Sequence, residues 1–261
     1  MEFITSETSS MADFDLETPF PTPHGPDLPS DTPNYYLFNV ESDHMPAPTY
    51  HRSLVSGAGA FFVDTRRKIM SLVLRLSRHY GAVTSYLALN YADRFLSYHP
   101  FPEEKQWFLN LAAVCCVILA LKMTKTEFSI SEIQQDAGAI FDMQNIERME
   151  KLILGTLSWR MRSVTPFCFL DFFISTFGLE GPPPRRALKA RARQIIFETQ
   201  TEVELLKFKP SLISAAALLS ACDELFPLHF HCYKETTFDT TYLNADDLLM
   251  CYSVIQNKLG T

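Results

Sequence analysis

Basic residues are absent from residues 1–51 of this 261-residue sequence. The first Lys or Arg is Arg52, and nine of the 30 acidic residues precede it: Glu2, Glu7, Asp13, Asp15, Glu17, Asp27, Asp31, Glu41 and Asp43. The rest of the chain carries 21 acidic residues against 23 basic ones. The formal net charge of −7 therefore belongs to an acidic N-terminal segment. Whole-chain charge predicts neither nucleic-acid nor membrane binding.

The motifs of enzymes and metal sites are also missing. The six cysteines show no CxxC spacing, and no glycine-rich phosphate loop, HExxH or GxSxG string is present. The string HFHC at 229–232 lacks a second pair of ligands, so we predict no metal and no cofactor. The N-terminus lacks a basic stretch before an apolar one, and the apolar run 108–123 is short for a membrane span. We expect an intracellular protein with reduced thiols and no membrane segment.

Strand-like alternation is missing as well, and a helical period runs from about residue 60 onwards. Residues 1–33 are rich in Pro, Ser, Thr and acid, a composition that predicts disorder. The Thr-Pro steps at Thr18, Thr22 and Thr32 either keep this tail extended, the interpretation we favour, or are sites for a proline-directed kinase. We predict an all-α fold in which two helical blocks, 34–164 and 165–261, follow the tail.

One apolar helix ends in a charge. We predict a helix at about 103–123 with two apolar stripes: Trp107, Leu111, Val114, Ile118, Leu121, and Phe108, Ala112, Cys115, Leu119. Such a helix is typically central and surrounded by others. Lys122 extends the second stripe where VILALKMTKTE (117–127) turns polar. It is either the solvated end of a core helix or an ammonium group presented to a partner.

A basic cluster follows in the second block, made up of Arg185, Arg186, Lys189, Arg191 and Arg193. Its mixed helical spacing favours a solvated helix face. The alternative is a nuclear-import signal or a surface for an anionic partner. The cluster lacks the interleaved aromatic residues that nucleic-acid-binding surfaces usually contain.

Several strings of the sequence resemble the plant D-type cyclins in order and spacing. They are YLALNYADRFLS (86–97), LAAVCCVILALKM (111–123), IERMEKLILGTLSWRMRSVTPFCFLDFF (146–173) and FKPSLISAAALL (208–219). The resemblance implies two tandem cyclin boxes of about five helices each. It implies a regulatory subunit, not an enzyme, that binds and activates a cyclin-dependent serine/threonine kinase and controls G1/S progression and cell division. It also implies a kinase heterodimer in the nucleus and cytoplasm, with kinase inhibitors as further partners.

The resemblance assigns roles to individual residues. Lys122 and Glu150 match the Lys and Glu at the centre of the family's kinase contact, and Met123, Leu154 and Trp159 would form its apolar anchor. Asp93 matches a family Asp that pairs with an Arg of the first box helix. Arg67 is the predicted partner in this structural ion pair, whose loss would destabilise the fold.

The sequence departs from the family pattern in three places. The L-x-C-x-E motif that docks retinoblastoma-type proteins is missing, so we expect such proteins to be partners only indirectly, if at all. Thr124 and Lys125 replace acids that usually follow the interface lysine. Arg66 and Val73 stand where a docking patch for substrates usually has Met and Trp.

Two alternative functions stay open on these residues. The first is a cyclin-fold scaffold that binds transcription machinery or nucleic acid, for which the cluster at 185–193 is the one candidate surface. The second is a degenerate cyclin that occupies a kinase without activating it, suggested by Thr124 and Lys125.

Overall fold

The computed structural model describes residues 35–56, 60–99, 106–179, 181–238 and 240–260. Within these ranges the secondary structure is helical and contains no strand. The α-helices are α1 Tyr35–Val40, α2 Pro48–Val55, α3 Ala60–Ser77, α4 Ala82–Tyr98, α5 Gln106–Met123, α6 Ile130–Ala137, α7 Met143–Thr156, α8 Leu170–Thr176, α9 Pro182–Thr199, α10 Pro210–Leu225, α11 Phe230–Phe238 and α12 Ala245–Leu259. Short 3-10 segments occur at Glu41–His44, Pro166–Phe169, Val203–Lys207 and Pro227–His229.

The first helical block is built around α5. This helix contacts α3, α4, α6 and α7, and its residues from Leu111 to Leu121 are all buried. By length and composition α5 could also cross a membrane, but the surrounding helices bury it as the core helix of a bundle. The two apolar stripes read from the sequence therefore face two sets of neighbours.

The second block repeats this arrangement around α10. That helix contacts α8, α9, α11 and α12, and residues 210–222 are all buried. Seven of the 16 residues in its sequence, PSLISAAALLSACDEL, are Ala or Ser, and small side chains allow neighbouring helices to approach closely. Among the described residues, each block thus contains a box of five helices with the third at its centre: α3–α7 in the first block and α8–α12 in the second. The predicted all-α fold of two tandem five-helix boxes is confirmed.

Local signals in the sequence set several helix boundaries. The Ser129 side chain accepts a hydrogen bond from the backbone N–H of Glu132 at the start of α6, and Gly138 ends that helix in the left-handed conformation. Asn244 caps α12 in the same way as Ser129 caps α6. Pro210 occupies the first turn of α10, where its missing N–H is not needed.

The segment before the first box connects the two cores. Leu37 and Phe38 of α1 lie in the second core, although we assigned residues 34–164 to the first block. The buried Glu41 carboxylate accepts hydrogen bonds from the backbone N–H (2.8 Å) and hydroxyl (2.9 Å) of Ser211 at the start of α10. Burial raises the pKa of Glu41, although Ser211 and Lys209 act to lower it. Residue Tyr50 of α2 then enters the first core, so this segment bridges both boxes.

Candidate functional site

The fold brings Lys122 and Glu150 together from different helices. Lys122 is in the last turn of α5 and Glu150 is in the middle of α7, and Lys122 Nζ lies 2.6 Å from Glu150 Oε1. The Lys122 side chain is 49% exposed, whereas that of Glu150 is only 12% exposed. The ammonium group therefore faces solvent while it neutralises a largely covered carboxylate. Both groups keep hydrogen-bonding capacity that an incoming backbone could use.

The two helices that carry this pair end in the same type of C-terminal turn. After α5, the N–H of Thr126 donates to the Leu121 carbonyl and that of Lys125 donates to Lys122. After α7, the N–H of Trp159 donates to the Leu154 carbonyl. These are Schellman-type turns, which require a left-handed residue and usually place glycine there.

Neither turn uses glycine at its left-handed position. Lys125 (φ 50°), Ser158 (φ 52°) and Trp159 (φ 60°) are the non-glycine residues with positive φ in the described ranges. All three follow the ends of α5 and α7. Such backbone conformations cost free energy and cluster at functional sites. Because neither turn has a glycine at its left-handed position, no glycine in the sequence predicted these helix ends.

Three apolar side chains follow Lys122 and Glu150 along α5, α7 and the turn after α7. Met123 and Leu154 are half-buried and pack against the first core, whereas Trp159 is 71% exposed. A large aromatic side chain that is mostly exposed to solvent resembles the anchor residue of an interface rather than core packing. The assignment of these five residues to a kinase contact stays a prediction, to which the structure contributes their geometry.

The two residues that replace the usual acids behave differently. The Thr124 hydroxyl donates to the Leu121 carbonyl and lies 2.8 Å from the Thr126 hydroxyl, so it is engaged within the turn. Lys125 is exposed. Both replacements remove a negative charge from this surface, but only Lys125 adds a positive one.

The predicted pair between Arg67 and Asp93 is wrong. Arg66 is the partner: its Nε and Nη2 lie 2.8 and 3.0 Å from the two Asp93 carboxylate oxygens. Arg67 points outwards and is 71% exposed, and among the described residues its ion-pair partner is Asp64, at 3.5 Å. The helical phase explains the error, because Arg66 is three residues before the buried Ile69 and so shares its inward face.

Arg66 and Asp93 form the centre of a buried cluster. The Tyr50 hydroxyl donates to Asp93 at 3.1 Å, and Arg66 Nη1 donates to the Thr201 carbonyl at 2.7 Å. Burial raises the pKa of Tyr50, and the Asp93 charge adds to this effect. Burial acts to lower the pKa of Arg66, but the charge and hydrogen bonds of Asp93 outweigh it and the pKa is raised. The cluster ties α2, α3 and α4 to the segment that precedes Val203.

This correction also shifts, by one residue, the positions that match the family's docking patch. Arg66 and Val73 were matched to the patch in the same alignment of α3 that matched Arg67 to the family Arg. With Arg66 in that role, the matching positions become Thr65 and Leu72. Both are buried. Neither carries the Met or Trp of the family pattern, so the expected weakness of this patch is unchanged.

The basic cluster of the second box is largely engaged within the fold. Three of its members have partners: Lys189 with Asp171, Arg191 with Glu224, and Arg193 with the Phe167 ring. Arg185 and Arg186 are exposed, and no described residue forms an ion pair with them. Two adjacent arginines do not make the continuous basic surface that nucleic-acid binding needs.

Two further parts of the sequence, the Thr-Pro steps and the string HFHC, add nothing to this site. The Thr-Pro steps at Thr18, Thr22 and Thr32 lie outside the described residues. The string HFHC at 229–232 runs from a 3-10 segment into α11. No group of three or more potential metal ligands occurs in the part of the chain that the structure describes.

Family models match almost the whole described chain. The model for "Cyclin, N-terminal domain" matches residues 34–162, and that for "Cyclin, C-terminal domain" matches residues 164–260. Among similar structures, a viral cyclin from herpesvirus saimiri superimposes with a TM-score of 0.62 at 17% identity, over 76% of this chain and 85% of that one. A chain of the CAK complex of Chaetomium thermophilum, bound to ATP-γ-S, superimposes with a TM-score of 0.54 at 18% identity, over 87% and 71%. These structures support the fold.

Relatives in sequence narrow the family. A protein named putative cyclin-D6-1 from Arabidopsis thaliana is 44% identical over 236 residues, which cover 89% of this chain and 77% of the relative. Cyclin-D6-1 of Oryza sativa subsp. japonica is 34% identical, over 95% of this chain and 75% of the relative. The predicted resemblance is confirmed: the chain belongs to the cyclin family, among the D-type cyclins of plants, and is a regulatory cyclin subunit of cyclin-dependent kinases.

Proposed function

We propose that this cyclin binds and activates its kinase through the surface formed by Lys122, Glu150, Met123, Leu154 and Trp159, which we call the pair surface. The observation that carries the proposal is the 2.6 Å contact between Lys122 and Glu150, together with a Trp159 side chain that is 71% exposed in the turn after α7. Exposed aromatic anchors next to a charged pair are typical of protein interfaces.

Activation follows if the kinase helix αC binds this surface in its inward position. A protein kinase is active when a strand lysine pairs with a glutamate of αC. A partner that binds the inward position more tightly than the outward one shifts the equilibrium by that difference in affinity. On this proposal the cyclin carries out no chemistry itself, and its role is to hold another protein in one conformation.

The wider setting belongs to the same proposal. We propose action at the G1/S transition in the nucleus and cytoplasm, with kinase inhibitors as competing partners and retinoblastoma-type proteins reached only indirectly. The described residues contain no L-x-C-x-E string that would dock such proteins directly.

The test is co-purification with a co-expressed cyclin-dependent kinase. Lys122→Glu and Glu150→Lys should each lower kinase affinity at least about 100-fold, because each turns the 2.6 Å ion pair into two repelling like charges and removes the donor or acceptor offered to the partner. The double variant restores the internal pair but reverses its orientation, so we expect kinase binding to remain lost.

Lys189→Glu is the matched control. Lys189 forms a comparable 2.8 Å pair with Asp171, but in the second box. This variant should keep full kinase binding, and all variants should keep the helical circular dichroism of the parent. Kinase binding by both single variants at the parental level would overturn the site assignment.

A second candidate function is a cyclin that occupies the kinase without activating it. The exposed Lys125, in place of the acid that the family pattern carries, favours this alternative. Phosphorylation of histone or a retinoblastoma fragment by the purified complex separates the two. Activity above that of the kinase alone supports activation, whereas a stable but inactive complex supports the alternative.

A further inference from the structure

A groove separates the first box helix from the second box. It is open to solvent, has a volume of about 610 Å³ and lies between α3, residues 201–204 and the end of α12. Its apolar surface comes from Val63, Met70, Leu74 and Val203. We call this feature the α3 groove. Its lining residues lie on a different face of α3 from the patch positions Thr65 and Leu72.

The acidic side chains of the α3 groove are already neutralised. Glu202 Oε1 lies 2.6 Å from Lys258 Nζ, and Glu204 Oε2 lies 2.8 Å from Lys207 Nζ. The groove residue Arg66 is likewise paired with Asp93. These pairs leave little net charge of their own inside the groove.

The remaining charge along α3 is positive. Arg67 is 71% exposed, and its contact with Asp64 is a long 3.5 Å because Lys68 holds the same carboxylate at 2.7 Å. Arg75 is exposed, and no described residue forms an ion pair with it. Arg67, Ser71 and Arg75 are spaced by four residues, so they lie on one face of α3. This face would attract an acidic segment with apolar side chains.

The chain contains such a segment. Residues 1–33 include seven acidic residues and no Lys or Arg. Within them, residues 13–20 read DFDLETPF, in which acidic and apolar residues alternate. In an extended chain, alternate side chains point to opposite sides, so the apolar ones can enter a groove while the acids meet its basic rim.

We propose that residues 13–20 bind the α3 groove of the same molecule. The linking chain is long enough, because the 15 residues from Phe20 to Tyr35 span up to about 50 Å when extended. A chain of this length folds to a radius of gyration on the order of 18 Å. Tethering sets the effective concentration of the segment near the millimolar range, so even a weak contact is occupied.

Photo-cross-linking in the full chain tests the proposal without any kinase. With p-benzoylphenylalanine in place of Phe14, irradiation should give a monomer whose cross-link maps to α3 or to residues 201–207. Arg67→Glu with Arg75→Glu should lower the yield about tenfold, since two exposed ion pairs become repulsive. Raising NaCl from about 0.05 M to about 0.5 M should lower it as well.

Two sets of variants control for folding and for general charge effects. Asp13→Asn, Asp15→Asn and Glu17→Gln change only the segment and should lower the yield without affecting the boxes. Arg185→Glu with Arg186→Glu reverses two exposed arginines on α9 and should leave the yield unchanged. Cross-links spread over the surface, a cross-linked dimer, or a yield insensitive to Arg67 and Arg75 would overturn the proposal.

Discussion

Two ion pairs between helices of the first box differ in almost every physical respect. The Arg66 and Asp93 side chains are each 5% exposed, joined by two hydrogen bonds and supported by Tyr50. The Lys122–Glu150 pair has a single contact and a half-exposed lysine. The hydrogen bonds of the first pair are made within the protein, whereas the second pair leaves donors and acceptors facing solvent.

Backbone conformation follows the same division. The positive-φ residues Lys125, Ser158 and Trp159 all follow the helices that carry Lys122 and Glu150. No described non-glycine residue of α3 or α4 has a positive φ. The buried pair is therefore arranged for stability, and the exposed pair carries features that do not serve the stability of the isolated chain. A site that binds another protein accounts for that difference.

The largest expected effect is on the buried side of this comparison. Arg66→Ala leaves the Asp93 carboxylate buried without its cation, so the free energy of unfolding should fall by about 3–5 kcal/mol. Urea denaturation followed by circular dichroism measures it. Arg67→Ala is the matched neighbour and should change stability by less than about 0.5 kcal/mol. Equal losses for both variants would contradict the pairing.

On the pair surface, we expect a substitution to lower the affinity for the kinase rather than the stability of the fold. Trp159→Ala should weaken kinase binding by about 2 kcal/mol or more, because a buried aromatic anchor would be lost. The free energy of unfolding should hardly change, since this side chain is 71% exposed. Titration of the immobilised kinase measures the affinity.

The other tryptophan provides the control. Trp107 is 54% exposed but lies at the start of α5, about 22 Å along the helix from Lys122. Trp107→Ala should leave kinase affinity unchanged. If the two variants weaken binding equally, Trp159 has no special place in the interface.

The fold was more predictable than the two pairs. Apolar stripes on both sides of α5 indicated a central helix, and Gly138 and Asn244 marked helix ends because their chemistry is local. The partner of Asp93 can be identified only if the helical phase of α3 is known to within one residue. Arg66 and Arg67 are adjacent, so the sequence alone did not distinguish them. The contact between Lys122 and Glu150 depends on how α5 packs against α7, so the periodicity of the sequence could not predict it. The resemblance to D-type cyclins predicted this contact.

The pH dependence of stability should also distinguish a buried histidine, His44, from an exposed one. Burial and the Arg94 charge lower the pKa of His44 to about 4 from 6.5. Between these values the unfolded chain binds more protons, so this histidine's contribution is lost as pH falls from about 6.5 to about 4. From pH 7 to pH 5 the loss should be about 2 kcal/mol. Glu41, whose pKa is raised, acts in the opposite direction.

Comparison with His44→Asn isolates this effect. The free energy of unfolding of the parent should fall between pH 7 and pH 5 by about 2 kcal/mol more than that of the variant, as measured by urea denaturation. His231 has an 85% exposed side chain, so His231→Asn should leave the parental pH dependence intact. An identical dependence in His44→Asn and the parent would contradict the assignment to His44.

The smallest effect tests whether Lys125 serves the partner or the fold. Its φ of 50° is a conformation that glycine adopts readily and lysine does not. Lys125→Gly should therefore raise the free energy of unfolding by about 0.5–1 kcal/mol, after the greater chain entropy of glycine is subtracted. Lys125→Glu keeps the strain and reverses the charge, so stability should stay near that of the parent while kinase affinity changes a few-fold.

The two Lys125 variants separate backbone strain from charge in one measurement series. If charge at this position sets kinase preference, the change in affinity for Lys125→Gly should have the same sign as for Lys125→Glu and be smaller. If strain positions the pair surface, Lys125→Gly should instead weaken binding while it stabilises the free chain. A glycine variant that is less stable than the parent would contradict the account of both helix ends, because relief of the left-handed lysine is the only source of the expected gain.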